Sequence, residues 1–353
     1  MTINVLGYAA QTAKAQLTPY HFQRRDPRPD DVVIEILYCG VCHSDLHHVN
    51  SDWETIYPLV PGHEIIGRVV STGKDVTRFK PGDHVGVGCM VDSCQHCAPC
   101  RDGLEQYCEE GSTLTYNSID RHDQMRTFGG YSEKIVVSDK FVLRIPDGMN
   151  LKTAAPLLCA GITTWSPLRH WQVKPGDRVA VTGLGGLGHM AIKLAKGLGA
   201  QVSLFTRSPG KEADARRLGA DNIILSTDTQ QMADVHNHFD LIIDTVPYVH
   251  DLGPYINTLS INGALVLVGY LGPITSAFNT APLVLGRKTV AGSVIGGIAE
   301  TQEMLDFCAS HSISADVEMI AMQDINNAYQ RMLKSDVKYR FVIEMASLKK
   351  ETA

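Results

Sequence analysis

Long apolar runs, an excess of positive charge and a leader-like N-terminus are all missing from this sequence of 353 residues. No run of about 18 apolar residues occurs, so no membrane-spanning helix is expected. The formal net charge is -6, whereas a protein that binds nucleic acid needs a basic face. Residues 1–14 lack the basic segment and the apolar stretch of a signal peptide. We therefore expect a cytoplasmic protein with neither a membrane nor a nucleic-acid partner.

Signs of disorder and of a disulfide framework are also missing. Hydrophobic residues make up 44% of the chain and charged residues 20%, as in a packed globular protein. The length is too great for one core and predicts about two domains. Nine cysteines are present, but the cytosol keeps thiols reduced, so they are not interpreted as disulfides. Cys39, Cys89 and Cys308 are interpreted as scattered buried thiols, and the other six need another explanation.

The pattern of apolar residues changes near residue 160. Before that point, short strand-like runs are separated by Gly and Pro, which is typical of an irregular, mostly β domain. After it, strands alternate with helices, which predicts an α/β domain with a doubly wound parallel sheet. The predicted strands are 32–38, 65–70, 84–87, 178–182, 202–206, 223–225, 241–244, 264–268, 289–290 and 340–343. The predicted helices include 190–198, 211–218 and a stretch within 301–341.

Four cysteines lie within fifteen residues, with two residues between each of the first three. They are Cys94, Cys97, Cys100 and Cys108. Zinc favours four tetrahedral thiolates, and short intervals let one loop wrap a single ion. An iron–sulfur cluster also uses closely spaced cysteines, so the spacing alone does not decide between the two. Because the protein would fill all four positions, the segment predicts a structural zinc site that fixes a loop.

A glycine-rich turn follows the strand predicted at 178–182. Its sequence GLGGLG fits G-x-G-x-x-G and precedes a helix, which is the context that makes this motif specific. The residues of the turn that we assign to cofactor binding are Gly183, Gly185, Gly186, Leu187 and Gly188. Glycines permit the tight turn, and the helix N-terminus favours the pyrophosphate anion. The turn therefore predicts a dinucleotide site.

The end of the next strand indicates which dinucleotide is bound. NAD-binding chains usually carry Asp or Glu there, to accept hydrogen bonds from the ribose hydroxyls. This chain has Thr206, Arg207 and Ser208, with Lys211 soon after. A carboxylate would repel a 2′-phosphate, whereas these hydroxyl and cationic groups would bind it. NADP(H) is therefore the predicted cofactor; the alternative is that Arg207 and Lys211 only form a solvated start of a helix.

Three further segments complete a larger pattern. They are CGVCHSDLH at 39–47, GHE at 62–64 and LCAG at 158–161, and each alone is more typical of core residues than of a metal site. With the four-cysteine segment, the glycine turn and VKYRFVI at 337–343, they run in order across nearly the whole chain. In these segments the sequence resembles the zinc-containing medium-chain dehydrogenase/reductase family, and within that family the cinnamyl-alcohol-dehydrogenase-like aldehyde reductases.

The resemblance implies a fold and a second zinc site. The fold is a mostly β, GroES-like catalytic domain, formed by 1–157 and 295–353, and a Rossmann cofactor domain at 158–294. Cys42, His63 and Cys159 would hold a catalytic zinc, which makes two zinc ions per subunit. Two cysteines and one histidine are the ligand set that is known for alcohol dehydrogenases, and they leave one coordination position open. The open position lets the ion act as a Lewis acid on an aldehyde or alcohol oxygen.

The same resemblance implies roles for the neighbours of these ligands. Glu64 would be an exchanging ligand or lie just behind the ligands, with a solvated carboxylate as the alternative, and Asp45 would orient His63. Ser44 and His47 would form a proton relay, a task that suits histidine because imidazoles titrate near neutrality. Arg340 would reach the cofactor, with an ion pair as the competing interpretation. A homodimer is implied as well.

The predicted function is therefore a zinc- and NADP(H)-dependent alcohol dehydrogenase that acts mainly as an aldehyde reductase on small molecules. Two alternatives remain open at this point. One is a zinc polyol or secondary-alcohol dehydrogenase. The other is a protein that binds NADP and zinc without catalysis, because a fold does not determine function.

Overall fold

The structure is a computed structural model that describes residues 2–269, 272–273 and 277–351, without the side chains of 349–351. The chain divides into two units. The first unit combines Met1–Cys159 with Gly296–Ala353, and the second is Ala160–Ile295. None of the helices in the described part of the chain has the length and apolar character needed to cross a membrane.

The first part of the first unit is mostly β, as its Gly- and Pro-punctuated sequence predicts. Its strands are β1 (Ile3–Ala9), β2 (Thr18–Arg24), β3 (Asp31–Gly40), β4 (Ile65–Thr72), β5 (His84–Val87), β6 (Met90–Asp92), β7 (Thr113–Leu114), β8 (Lys134–Ser138) and β9 (Leu143–Arg144). Its α-helices are α1 (His43–Asn50), α2 (Ala98–Arg101) and α3 (Leu151–Ala154). β1 pairs with β2, and β6 pairs with β7, in separate antiparallel ribbons.

The second unit alternates helices and strands. Its helices are α4 (Ala160–His170), α5 (Gly188–Gly197), α6 (Glu212–Leu218), α7 (Thr229–Asp234), α8 (Gly253–Thr258) and α9 (Ala281–Gly286). Its strands are β10 (Arg178–Thr182), β11 (Gln201–Thr206), β12 (Asn222–Leu225), β13 (Phe239–Asp244), β14 (Leu259–Leu267) and β15 (Thr289–Gly292).

These strands form a parallel sheet, within the described residues, in the order β12-β11-β10-β13-β14-β15. The order reverses at β10, as in the doubly wound dinucleotide-binding fold. Parallel strands are covered on both faces, which is why β10 reads as an almost continuous apolar run and its Val179, Ala180 and Val181 are fully buried. The predicted Rossmann sheet is confirmed.

The chain then returns to the first unit through α10 (Ile298–Ser310), β16 (Val317–Ala321), α11 (Ile325–Leu333) and β17 (Arg340–Glu344). In the described part of this unit the main sheet has the order β16-β17-β3-β4-β5-β9, and β8 also pairs with β3. β17 thus lies between β16 and β3. It is parallel to β16 and antiparallel to β3. Short 3₁₀ helices lie at Glu105–Tyr107, Asp139–Phe141, Ala155–Leu158, Pro209–Lys211, Met322–Asp324 and Met345–Glu351.

Candidate metal and cofactor sites

Four buried side chains from separate segments of the first unit converge on one point. They are Cys42, His63, Glu64 and Cys159, and one ligand atom from each lies within 4.8 Å of every other. The two sulfurs are 3.8 Å apart. Zinc–sulfur bonds of about 2.3 Å at tetrahedral angles place two thiolates about 3.8 Å apart. The structure therefore brings together all the residues that the resemblance assigns to the catalytic zinc, at a spacing that fits the ion.

Local backbone geometry positions these ligands. Cys42 is the extended N-cap residue of α1. His63 follows Gly62, whose φ of 101° lies in the left-handed region that favours glycine. Cys159 ends the 3₁₀ helix Ala155–Leu158. Each ligand therefore lies at the boundary of a regular element, where side chains that serve a site are commonly presented.

The polar atoms at this point fit a cation better than an apolar core. The buried Nε2 of His63 has no hydrogen-bond partner in the described residues. A hydrogen bond from Cys159 holds the pKa of Cys42 well below its ordinary value, and the positive charge of Arg340 lowers it further, against the effect of burial. A buried imidazole nitrogen without a partner is costly. Zinc would satisfy it and would bind the thiolate.

Glu64 is fully buried and forms an ion pair with Arg340, with 3.2 Å between Oε1 and Nη1. Burial raises the pKa of Glu64 to about 8, although Arg340 opposes that shift. Arg340 also donates to the carbonyl of Val41 at 3.2 Å. A side chain at Gly40 would collide with Glu64, because its Cβ would lie 1.9 Å from Oε2. The buried ion pair accounts for the position of Arg340 without a cofactor, and a contact between Arg340 and NADP(H) stays a prediction.

Asp45 connects the segments that carry two of the ligands. Its Oδ2 accepts hydrogen bonds from the backbone N–H of Cys42 at 2.8 Å and from the Tyr131 hydroxyl at 3.1 Å. Its Oδ1 accepts from the N–H of Gly62 at 3.1 Å and lies 3.6 Å from Nδ1 of His63. That last distance is an ion-pair contact, longer than a hydrogen bond. Burial raises the pKa of the Asp45 carboxyl. Asp45 therefore faces Nδ1 of His63, and Nε2, on the other side of the ring, is left available to bind a metal.

The predicted relay residues both lie on α1, three positions apart. Nδ1 of His47 is 2.8 Å from Oδ2 of Asp52, and the centroid of its ring lies 4.9 Å from that of Trp53, with the two ring planes tilted by 32°. Residues three apart share one face of a helix, so Ser44 and His47 are neighbours. Asp52 is not among the residues predicted from the sequence. Its short separation from His47, just beyond the end of α1, is the signal that could have found it.

The environment of Cys89 differs from the one predicted from the sequence. That prediction made it a scattered buried thiol, but it lies against the ligand cluster and is only half-buried. A hydrogen bond from Cys159 lowers the pKa of Cys89 to about 6, and His63 lowers it further. No spacing motif joins Cys89 to these ligands, because its segment reaches them only through the sheet.

The four-cysteine segment also gathers its thiols. Cys94, Cys97, Cys100 and Cys108 place their sulfurs within 4.8 Å of one another, and those of Cys94 and Cys100 are 3.9 Å apart. This spacing fits four ligands of one tetrahedral zinc, whereas a cluster of several irons would hold its thiolates farther apart. A third group of potential ligands, Cys94, His96 and Glu110, shares Cys94 with this site and is not independent of it.

The glycine turn lies between β10 and α5 in the second unit. Gly183 has a φ of 88°, and a Cβ at Gly188 would lie 2.1 Å from the carbonyl oxygen of Gly183. Two residues without side chains are therefore needed for the turn to close onto the start of α5. At Gly185 a Cβ would meet no atom within 4 Å. The space beside the turn is thus open, as the approach of a pyrophosphate requires.

The predicted specificity residues follow β11. Thr206 is buried, and its Oγ1 accepts from the N–H of Ser208 at 3.1 Å. Arg207 is exposed. Nζ of Lys211 donates to the carbonyl of Leu184 in the glycine turn at 3.1 Å, and burial lowers its pKa. The structure therefore brings Lys211 to the turn itself and leaves no carboxylate at the end of β11.

Two family models match the chain. One is described as the alcohol dehydrogenase GroES-like domain and matches residues 28–147. The other is described as zinc-binding dehydrogenase and matches residues 186–310. Together they cover most of both units.

Relatives match over almost the full length. The chain is 53% identical to aldehyde reductase YahK from Escherichia coli over 99% of each chain. It is 51% identical to a probable mannitol dehydrogenase from Stylosanthes humilis, over 97% of this chain and 96% of the relative. Among solved structures, CAD from Helicobacter pylori complexed with NADP(H) superposes with a TM-score of 0.91 at 42% identity, over 98% of this chain and 99% of that one.

Proposed function

Since the chain belongs to the zinc-containing medium-chain dehydrogenase/reductase family, we propose that it transfers a hydride between NADP(H) and an aldehyde or primary alcohol, mainly as an aldehyde reductase. The observation that carries this proposal is the convergence of Cys42, His63 and Cys159 within 4.8 Å in a buried site. A second support is the glycine turn of the second unit. The strand that follows it, β11, ends without a carboxylate. A protein that binds zinc and NADP without catalysis would have no need of a zinc site with an open coordination position.

The metal and the cofactor have complementary parts. When bound, zinc supplies Lewis-acid chemistry toward an aldehyde oxygen, and NADPH supplies the hydride. Cys42 and Cys159, as thiolates, and neutral His63 would hold the ion, balance its charge and leave one of four positions open. Arg340 compensates the charge of Glu64 at 3.2 Å, so that this carboxylate can stay buried beside the ligands. We assign Glu64 to an exchanging or supporting role.

Ser44 and His47 are proposed to move the proton that accompanies hydride transfer. The Ser44 hydroxyl would pass a proton to the substrate oxygen, and His47 would replace it from solvent. Oδ2 of Asp52, 2.8 Å away, accepts from Nδ1 of His47. Nε2 of His47 is then the atom that takes up and gives away the proton. Asp52 therefore acts on the relay by fixing the orientation of the ring.

The second unit is proposed to select NADP(H) over NAD(H). The glycine turn and the N-terminus of α5 would bind the pyrophosphate. Thr206, Arg207 and Ser208 would surround the 2′-phosphate, and Lys211 adds a cation beside the turn, where it contacts the Leu184 carbonyl at 3.1 Å. A cytoplasmic location is proposed with this, because a reducing compartment keeps the thiols of both metal sites available.

The direct test is NADPH consumption with benzaldehyde, followed spectrophotometrically on protein whose zinc content has been measured. We expect steady oxidation of NADPH that depends on the aldehyde and stops after complete zinc removal. Activity that survives complete zinc removal would contradict the proposal. Zinc-loaded protein that binds NADPH but turns over neither aldehydes nor alcohols would favour the non-catalytic alternative.

A polyol dehydrogenase is the second candidate, because a relative at 51% identity is named a probable mannitol dehydrogenase. The same assay discriminates between the two. Oxidation of mannitol and sorbitol with NADP⁺ is compared with that of benzyl alcohol. A kcat/KM higher for a sugar alcohol than for benzyl alcohol would move the assignment to polyols.

We also propose a homodimer built through β15. β15 is the terminal strand of the six-stranded sheet that the described residues form. On α9, which precedes β15 in the chain and contacts β14, Val284 and Leu285 are 79% and 86% exposed. An unpaired strand edge and exposed apolar side chains each favour association, and two-fold symmetry would pair β15 with its copy.

Light scattering is expected to give the mass of two chains. Leu285→Asp should shift it toward one chain, because a carboxylate buried in the interface would be costly. The control is Ile261→Asp, which changes a residue on β14 that is 70% exposed. A one-chain mass for the unchanged protein would refute the dimer.

A further inference from the structure

The loop after β13 is closed by a contact between a buried carboxylate and a histidine. Asp244, the last residue of β13, is 1% exposed. Its Oδ2 lies 2.9 Å from Nε2 of His250, and its Oδ1 accepts from the N–H of Val246 at 3.1 Å. This contact is within ion-pair distance, and both of its partners are charged only when the ring is protonated. Both carboxylate oxygens are thus used to hold residues 245–250.

Both ring nitrogens of His250 face acceptors. Nδ1 is 2.9 Å from the carbonyl oxygen of Tyr248, which can only accept a hydrogen bond, while Nε2 faces the carboxylate. A neutral imidazole carries one N–H and would set a lone pair against one of these oxygens. The charged and titratable groups around the ring are Asp244 on β13, Asp251 in the loop and Tyr255 on α8, whose ring lies 5.8 Å away. This arrangement fits the protonated ring.

The start of the same loop packs on the glycine turn. Thr245 donates to the carbonyl of Thr182 through its N–H at 3.1 Å and through its Oγ1 at 2.7 Å. A Cβ at Gly183 would lie 3.2 Å from Oγ1 of Thr245 and 3.3 Å from Cγ2 of Val246. The loop therefore packs against one side of the glycine turn. A change that increases the mobility of the loop also changes the surface of the turn that is available to a ligand.

We propose that protonated His250, paired with Asp244, is a positioning residue for NADP(H): it holds the loop 245–250 against the glycine turn and keeps the turn in its binding form. This inference rests on the proposed cofactor site and adds a dependence on pH to it. His250 does not touch the cofactor in this proposal. It acts through Thr245 and Val246.

The direction of the pH dependence follows from the ion pair. Contact with Asp244 raises the pKa of His250 above 6.5, although partial burial opposes the shift. A raised pKa means that the closed loop favours the protonated ring, so the contact is fully present below 6.5 and is lost as pH rises through the raised pKa. NADPH should therefore bind less tightly on the alkaline side.

The test is the dissociation constant of NADPH, measured through its fluorescence from about pH 6 to about pH 9, a range that spans the titration of histidine. The unchanged protein is compared with His250→Gln, and the exposed His236→Gln serves as the control. We expect His250→Gln to bind NADPH about fivefold more weakly at low pH, as a partly exposed ion pair allows, and to match the unchanged protein at high pH. His236→Gln should follow the unchanged protein throughout.

A third variant tests charge rather than shape. His250→Lys keeps a cation up to about pH 10 and should retain tight binding on the alkaline side. The 2′-phosphate itself titrates near pH 6, at about the same place in every variant, so the comparison is made between proteins at each pH. Parallel curves for the unchanged protein and His250→Gln would overturn the role of His250. NADPH that binds to none of the proteins at any pH would overturn the proposed cofactor site and this inference with it.

Discussion

The Cys42→Ala protein is expected to lose turnover of benzaldehyde almost completely while it still binds NADPH. The loss should be about 10³-fold or more in kcat, because a metal acting as a Lewis acid contributes several kcal/mol and each 1.36 kcal/mol is a factor of ten. Cys42 provides one of two thiolates, 3.8 Å from that of Cys159. The cofactor turn belongs to the second unit, so the change should leave it intact. NADPH oxidation and NADPH fluorescence measure the two effects.

Metal content makes the result specific. The unchanged protein should contain two zinc ions per chain, one for each independent thiol group, and Cys42→Ala should contain one. The matched control is Cys308→Ala, which changes a buried thiol on α10 that belongs to neither group. It should keep both ions and most of the activity. Full activity in Cys42→Ala, or unchanged zinc content with no activity, would refute the assigned role of Cys42.

The second expected result concerns Thr206→Asp, which should invert or abolish the preference for NADPH over NADH. A carboxylate at the end of β11 would repel the 2′-phosphate and accept hydrogen bonds from the ribose hydroxyls of NADH. We expect the ratio of the two kcat/KM values to fall by about two orders of magnitude, because like charges placed together cost several kcal/mol. The measurement is steady-state kinetics with each cofactor at a fixed aldehyde concentration.

Thr206→Asn separates charge from shape in that experiment. Oγ1 of Thr206 accepts from the N–H of Ser208 at 3.1 Å, and either the amide or the carboxylate oxygen can replace it as acceptor. Only Asp adds a negative charge. We therefore expect a much smaller change in the ratio for Thr206→Asn. Equal changes in the two variants would show that the fit of the side chain, and not repulsion of the phosphate, determines the preference.

The second unit is the part of the fold that could best be predicted from sequence. A parallel strand covered on both faces reads as a continuous apolar run, and the predicted strand 178–182 has the bounds of β10. The helix predicted at 190–198 differs from α5 by two residues at its start and one at its end. Both elements depend on local patterns, which is why the glycine turn between them could be placed as well.

β14 shows where such prediction is wrong. The predicted strand at 264–268 begins five residues too late, because β14 starts at Leu259 and continues through Asn262, which has a φ of 64°. The pairing of β13 with β14 shifts register between Phe239 and Leu241. An Asn-Gly pair in a sequence predicts a turn. Here the pair that begins at Asn262 lies within β14, and the irregular pairing with β13 accommodates it.

The candidate sites divide in the same way. The four-cysteine segment could be recognised from spacing alone, because one short loop supplies every thiol. Cys42, His63 and Cys159 could be named only through a family resemblance, since nothing local relates residues that lie in three segments. Cys89 and Asp52 were missed because their relation to the site appears only when the sheet and α1 bring them together.

The position of β17 has a consequence for synthesis of the protein on the ribosome. This strand is made long after β3, yet it lies between β16 and β3 in the sheet of the first unit. The second unit is contiguous and can fold as soon as it emerges, whereas the first must wait for its C-terminal strand. Arg340 arrives on that strand, long after Glu64, Cys42 and His63. Until then Glu64 has no cation beside it, so the site that contains the earliest ligands is among the last to be completed.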